Sequence, residues 1–421
     1  MKDLGHPLEF LLALFRAGVA AASPARCLEG HLPESHGRRV AVIACGKAAE
    51  GMAQTAHAFY GPDCGGLVVR PQAADPVPAV VPGFETLTAA HPVPDADSVR
   101  AAQRVFACAQ GLSADTLLLF LVSGGASSLL CLPVPGVTLE EKRWVNAQLL
   151  VCGATIEEIN CVRKHLSGIK GGRLAAATNA AIVTLAISDI PSGAPALIGS
   201  GPTLQDRSTL ADAREVLDRY GIEVPPAVAG ALDDPSNESP DVSGRGQDRV
   251  SVVARGMTAL DAAAARCKEQ GIAVMNLGDG LEGDARKLAQ QHAALALELE
   301  AEGRPVCVLS GGETTVRISA APGAGGRNTE YALALALELD GNPHIWAIAA
   351  DTDGIDGVGG HSGAQVDPAT LKRGIRRGIV ARDSLRHHDT AGYFRKAGGL
   401  VEVGATGTNV NDFRAILILP T

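Results

Sequence analysis

Aromatic residues make up only 3% of this 421-residue chain. Stacking platforms for single-stranded nucleic acid need aromatic faces, so composition argues against that class of ligand. Positive charge is also scarce. The 37 Lys and Arg against 46 Asp and Glu leave a formal net charge of −9, which argues against nucleic acid and anionic membrane surfaces as partners. A small anionic substrate stays open, because a local basic cluster can override net charge. No apolar run reaches the ~18 residues that a membrane span needs. None of the nine cysteines stands in a CxxC pair, so they read as buried, reduced thiols of a cytoplasmic protein. The segment Leu8 to Ala22 is apolar enough to imitate a secretion signal. Glu9 and Arg16 interrupt it, however, and Leu8, Leu11, Leu12, Phe15 and Val19 share one helical face, so an amphipathic helix is expected.

What the chain has is alternation. Short β-favouring runs at 38–44, 65–70, 116–122, 181–187, 249–254, 272–277, 306–309, 344–350 and 413–419 are separated by stretches with helical periodicity. That pattern means α/β, with mostly parallel sheets flanked by helices. Thr138/Glu141 and Thr155/Glu158 are capping-box pairs that open two of the helices. Residues 71–94 are rich in proline and read as loop. Residues 221–248 are rich in Pro, Gly, Ser and Asp, which places a domain boundary there: one domain over 1–235 and a second over 236–421.

Parallel sheets gather their functional loops at the carboxyl ends of the strands. The apolar run Thr116 to Val122 ends in Ser123-Gly124-Gly125-Ala126-Ser127-Ser128. Its glycines permit close backbone approach and its hydroxyls can donate to a ligand. Ser310-Gly311-Gly312-Glu313-Thr314-Thr315 repeats the device after the strand at 306–309. Gly46-Lys47 puts a lysine between a strand and a helix N-terminus, a setting suited to phosphate. It is not a Walker A loop, since positions 41 and 48 are both alanine. Asp189, just past a strand, can act as a general base or contact a metal. Arg327, after Gly325-Gly326 and before Asn328, presents a planar fork for carboxylate or phosphate. Asp351, Asp353 and Asp356 concentrate carboxylates in one loop without the spacing of an EF-hand. The basic segment Arg163 to Arg173 includes Lys170, which could attract an acidic substrate. The polar loop before the last strand offers Thr408, Asn409, Asn411 and Asp412. Gly278 to Gly283 (GDGLEG) is a literal GxGxxG. Its expected acidic partner about 20 residues on falls at Glu298 and Glu300 inside a helix, so an ordinary turn explains it better.

Taken in order, these loops resemble one family, the class II glycerate kinases, or MOFRL-family glycerate 2-kinases. The resemblance is carried by ACGKAAEGMA at 44–53, HPVPDADS at 91–98, LVSGGASSLLCLPVPGVTLEEK at 121–142 and NCVRKHLSGIKGGRLA at 160–175. It continues through SDIPSGAPALIGSGPT at 188–203, LSGGETTVRI at 309–318, GGRNTEYALALA at 325–336, DTDGIDG at 351–357 and TGTNVNDF at 406–413. It implies a Rossmann-like N-terminal domain, a MOFRL-type α/β C-terminal domain and an active site in the cleft between them. It implies ATP and Mg²⁺ as cofactors and D-glycerate as acceptor, with 2-phosphoglycerate as product. Lys47 and Arg327 match the family's lysine and arginine. Lys47 would neutralise the transferred phosphoryl. Arg327 would either grip the glycerate carboxylate or stabilise the transition state. Asp189 would serve as base or metal contact, with Asp351 and Asp353 as further metal candidates. A homodimer is left open. The alternative is an NAD(P)H-dependent hydroxypyruvate reductase resting on GDGLEG.

Overall fold

The computed structural model describes residues 5–72, 81–190, 195–318 and 323–420. The proline-rich residues 73–80 and Pro191 lie outside them. The chain divides into two compact units, Cys27–Val253 and a second made of residues up to Arg26 together with Ala254–Thr421.

The first unit holds six strands: β1 (Arg39–Cys45), β2 (Gly65–Pro71), β3 (Phe84–Ala89), β4 (Thr116–Val122), β5 (Ala181–Ile187) and β6 (Arg249–Ala254). Their order in the sheet is β3-β2-β1-β4-β5-β6, and β3, β2, β1, β4 and β5 run parallel. This is the doubly wound arrangement. β4 and β5 are buried along their whole length, which is why both read as unbroken apolar runs. One core lies against this sheet, built on residues such as Ile43, Phe120, Leu118 and Ile182. A separate helical core joins Val145 and Leu149 to Ile159, Val162, Leu210, Val216, Val228 and Leu232.

The second unit holds β7 (Ala273–Asn276), β8 (Leu281–Asp284), β9 (Val306–Thr315), β10 (Ile345–Asp351), β11 (Gly363–Val366), β12 (Leu400–Val401) and β13 (Asp412–Ile418). The sheet order is β12-β11-β10-β13-β9-β7, with β8 also on β9. This sheet corrects the expectation of two mostly parallel sheets. β10 pairs antiparallel with β11 and β13, β13 antiparallel with β9, and β11 antiparallel with β12, leaving only β7 and β8 parallel to β9. β11 is a short strand that follows the Asp351 loop, and β13 is the chain's last. Both reach the sheet without a crossover helix, so alternation of elements could not report their direction.

The domain boundary also differs from the sequence reading. Within 221–248, the helix Pro226–Asp233 buries Val228, Ala231 and Leu232 in the first unit. Arg245 donates to the carbonyls of Thr178 and Ala180, and Asp248 Oδ1 accepts from Ile182 N at 2.9 Å. These contacts fasten β6 to β5's unit, so the division falls at 253/254. At the other end, the amphipathic helix Pro7–Ala21 packs on the helix Gly256–Glu269 of the second unit. Phe15 meets Phe413 edge-on at 5.8 Å, Gln365 donates to Leu8 O, and Thr408 Oγ1 donates to Ala22 O at 2.7 Å.

Gly312 is one of the tightest points of the second sheet. Its φ is +107°, and a Cβ there would lie 2.1 Å from Leu281 O. A side chain would separate β8 from β9 and adopt a strained backbone as well. Gly312→Ala should cost about 2–4 kcal/mol, measured by urea denaturation. A loss below half a kcal/mol would show that β8 yields freely.

Candidate active site

In a doubly wound sheet the ligand crevice opens where the strand order reverses, at the carboxyl ends of the two central strands. Here those strands are β1 and β4. β1 leads into Gly46-Lys47 and β4 into Ser123–Ser128, so two separate sequence signals converge on one point. Backbone and side chain stitch them together. Ser123 N donates to Cys45 O, Lys47 N to Gly124 O, and Ala48 N to Ser123 Oγ, all at about 2.9 Å. Gly46 has φ +122° and a Cβ on it would lie 2.3 Å from Ser123 Oγ, so only glycine fits.

This stitching corrects the role expected of Ser123. It is fully buried, and its hydroxyl satisfies an amide at the start of the helix Ala49–Tyr60. It shapes the turn, with its hydroxyl oxygen accepting from Ala48 N. Lys47 stands half-buried on that turn. Gly125, with φ +86°, opens the short helix Ala126–Leu129 and packs closely on His91. Asp189 lies half-buried just past β5, on the same edge of the sheet.

Ser127 and Ser128 face a cavity of about 550 Å³ wholly inside this unit, lined also by Lys142, Arg163 and Lys170. Ser127 Oγ lies 2.9 Å from Ser200 Oγ, which donates to Asn160 Oδ1 at 2.7 Å. Ser128 Oγ donates to Gly125 O. Lys170 Nζ donates to Ser127 O at 2.9 Å and more weakly to Gly199 O. The rest of the basic segment is otherwise engaged: Lys164 pairs with Asp206, His165 with Glu238, and Arg173 donates to three carbonyls. Asn160, Ser200 and Lys142 are additions that sequence reasoning missed. Lys142 had a signal, since it occupies the inward face of the helix Leu139–Val151 with Val145 and Leu149. A lysine on an apolar stripe is unusual enough to notice.

In the second unit, Arg327 begins the helix Arg327–Leu339. Its Nε donates to Asp412 Oδ1 at 2.7 Å, Nη2 to Asp351 Oδ2 at 2.6 Å and Nη1 to Glu313 Oε1 at 3.0 Å. Burial works against its charge, but Asp412, Asp351 and Glu313 outweigh burial and hold its pKa above the ordinary value. The anion that an arginine at a helix start calls for is therefore supplied from within the fold. Asp412 accepts in addition from Asn328 Nδ2, from Thr314 N and from the buried Arg414. Asp356 caps the helix, accepting from Asn328 N and Thr329 N at 2.9 Å each. Gly326 makes room for it, since a Cβ there would sit 2.4 Å from the Asp356 carboxyl.

Several residues of this unit expected to bind ligand have partners within the fold. Ser310, Gly311 and Gly312 do not form a loop. β9 runs through them to Thr315, paired with β13 on one side and β8 on the other. Of that motif, Glu313 and Thr315 are exposed. Thr408, Asn409, Asn411 and Asp412 are all buried. Thr408 fastens the N-terminal helix, Asn409 Oδ1 accepts from Asn411 N, and Asn411 O accepts from both Thr352 N and Thr352 Oγ1. GDGLEG is also resolved as structure. Its second half enters β8, and Asp284 then caps the helix Ala285–Ala301, accepting from Arg286 N and Lys287 N. A carboxylate occupies the helix N-terminus where a dinucleotide pyrophosphate would have to sit.

Among the described residues, no group of three or more His, Cys, Asp and Glu is arranged to hold a metal by itself. The chemistry of Asp351 and Asp353 nonetheless suits a hard cation. Asp353 N donates to Asp351 Oδ1 at 3.0 Å. Burial, with the neighbouring Asp353, pushes the Asp351 carboxyl well above the usual range despite Arg327. One or two carboxylates, completed by substrate phosphate and water, are a usual Mg²⁺ arrangement.

Comparisons with known proteins identify a family. A model described as a domain of unknown function, DUF4147, matches residues 10–233, and the MOFRL family model matches 306–412. The D-glycerate 2-kinase of Thermotoga maritima is 35% identical over 97% of this chain and 97% of its own length. The chain belongs to the class II glycerate kinase family. Its members transfer a phosphoryl group to an alcohol. The crystal structure of a glycerate kinase from Thermotoga maritima superimposes with a TM-score of 0.88, covering 98% of this chain and 99% of that one. A protein of Agrobacterium vitis, provisionally named a hydroxypyruvate reductase, is 46% identical over 97% of this chain and 94% of its own length.

Burial pushes the Lys170 ammonium down to about 7, with Cys131 working against the shift, Arg163 and Lys142 adding to it, and Cys45 opposing it weakly. Between that value and its ordinary 10.5, the unfolded chain holds a proton the folded chain has released. Stability from this group therefore rises with pH across the window. Wild type should gain melting temperature relative to Lys170→Met as pH goes from about 7 to about 10. A difference that stays constant across the range would show that Lys170 titrates normally.

Proposed function

We propose that the chain phosphorylates D-glycerate at its 2-hydroxyl, using ATP and Mg²⁺, to give 2-phosphoglycerate. The observation that carries this reading is the end-to-end match to the Thermotoga D-glycerate 2-kinase, on a chain that has Lys47 at its topological switch point. Phosphoryl transfer asks a protein mainly for positioning and for positive charge around the phosphate oxygens. Lys47 supplies that charge from a turn fixed by Gly46 and Ser123. Asp189, on the same sheet edge, is the group to accept the proton of the 2-hydroxyl. Asp351 and Asp353 would hold Mg²⁺, which when bound neutralises phosphate charge. Arg327 acts by positioning. Its bonds to Asp412, Asp351 and Glu313 set the orientation of the Asp351 loop.

A reductase reading is favoured by the name of the Agrobacterium relative alone. The capped helix after GDGLEG counts against it, because Asp284 already accepts from the amides of Arg286 and Lys287.

A coupled assay of ADP release, with ATP, Mg²⁺ and D-glycerate, tests the kinase reading, and the product isomer is read by chromatography. Release that does not depend on glycerate would refute it. Oxidation of NADH by hydroxypyruvate would favour the alternative. Lys47→Ala should lose at least about a hundredfold in kcat with melting unchanged. Arg327→Ala should lose activity and also about 3–5 kcal/mol of stability, because buried Asp412 and Asp351 are left without their counter-charge. An Arg327→Ala chain as stable as wild type would overturn the positioning role.

A further inference from the structure

The cavity beside Ser127 and Ser128 has a charge problem that the fold does not solve. Lys142 and Lys170 are buried, and Arg163 is half-buried next to them. Their partners are neutral. Lys142 Nζ donates to the carbonyls of Arg163 and Leu166, Lys170 Nζ to those of Ser127 and Gly199, and Arg163 to the side-chain oxygens of Asn146 and Asn160. Among the described residues no carboxylate forms an ion pair with any of the three. Elsewhere the fold shows the opposite habit: buried Lys164 has Asp206, and Arg327 has three carboxylates. Clustering like charges out of water without a counter-ion is costly unless a ligand brings the missing charge.

The remaining walls are mostly apolar, with Val93, Trp144, Leu149, Leu150 and Val162 among them, and Arg143, Asn146 and His91 also line the cavity. Glycerate is small and polar throughout, and it would leave that surface in contact with water. At about 550 Å³ the cavity lies within the usual range for a drug-sized ligand. The matching ligand has a flat, weakly polar body and a polyanionic tail, which describes a nucleoside triphosphate. We propose, resting on the kinase reading, that this cavity seats the nucleotide, its base against the Trp144 wall and its phosphates toward Lys142, Arg163 and Lys170. Ser127 and Ser128, on the glycine loop at the switch point, then lie at the phosphate end.

The chain has two tryptophans, and Trp346 belongs to β10 of the other unit. In the full chain carrying Trp346→Phe, Trp144 is the sole emitter. Saturation with a non-hydrolysable ATP analogue, followed in parallel by calorimetry, should change Trp144 emission with the same Kd. Lys142→Met and Arg163→Met should each weaken the analogue at least tenfold while the KM for glycerate stays within twofold. Leu150→Trp, at a position exposed to solvent and therefore tolerant, should weaken it similarly by filling the cavity. Calorimetric binding with silent Trp144 and unaffected variants would place the nucleotide elsewhere and overturn the proposal while leaving the kinase reading intact. Absence of glycerate-dependent ADP release would instead remove the kinase reading. Tight binding of inorganic tripolyphosphate, with no preference for the nucleoside-bearing analogue, would overturn the base-binding half.

Discussion

A charge taken out of water must find its opposite, and the two units meet that constraint in different ways. In the second, Arg327 is enclosed by Asp412, Asp351 and Glu313, while Asp412 is held in turn by Arg414 and Asn328. The starts of β13 and of the helix Arg327–Leu339 and the end of β10 are fixed by this one network. In the first, Lys142, Arg163 and Lys170 rest on carbonyls and amides. Closed networks of the first kind hold shape. Open ones of the second kind mark places where something else completes the charge.

Much of this was legible in the chain. The unbroken apolar runs of β4 and β5 reported burial on both faces. The glycine turns after β1 and β4 reported the edge where the strand order reverses. Less legible was what a polar residue does once folded. Ser123 and Ser127 are four positions apart in one motif, yet Ser123 caps a helix and Ser127 faces the cavity. The difference comes from Ala48 N, which approaches Ser123 only because Gly46 has no side chain. No local pattern encodes an approach across 75 residues.

The paired motifs SGGASS and SGGETT make the same point. Identical Ser-Gly-Gly triplets follow apolar strands in both units. After β4 the chain turns, because Gly125 takes a left-handed conformation and a short helix follows. In β9 it continues straight, because β8 and β13 pair with it on both flanks and Gly312 makes room for Leu281. Glycine permits both outcomes, and the neighbouring strands choose between them. For the same reason β11 and β13 escaped the reading of strand direction, since their partners are set by tertiary pairing. Lys142 and Asn160 escaped because each sits in a helix whose period announces packing and not chemistry.

The open cluster also links folding to ligand. Burial lowers Lys142 to about 8 and Lys170 to about 7, so near neutrality the empty fold holds protons less tightly than the unfolded chain does. Each lysine then subtracts from stability in the window below its ordinary value. A polyanion restores the reason to be charged, raises both affinities for protons and binds the native state alone. The chain as a whole is negative by 9 charges, so long-range attraction does not bring an anion to it. Attraction begins within a few ångströms of Lys142, Arg163 and Lys170 in a largely apolar cavity, where water screens least. Selectivity for a polyanion that also carries an apolar body follows from that geometry, because neither half of such a ligand is satisfied anywhere the other is not.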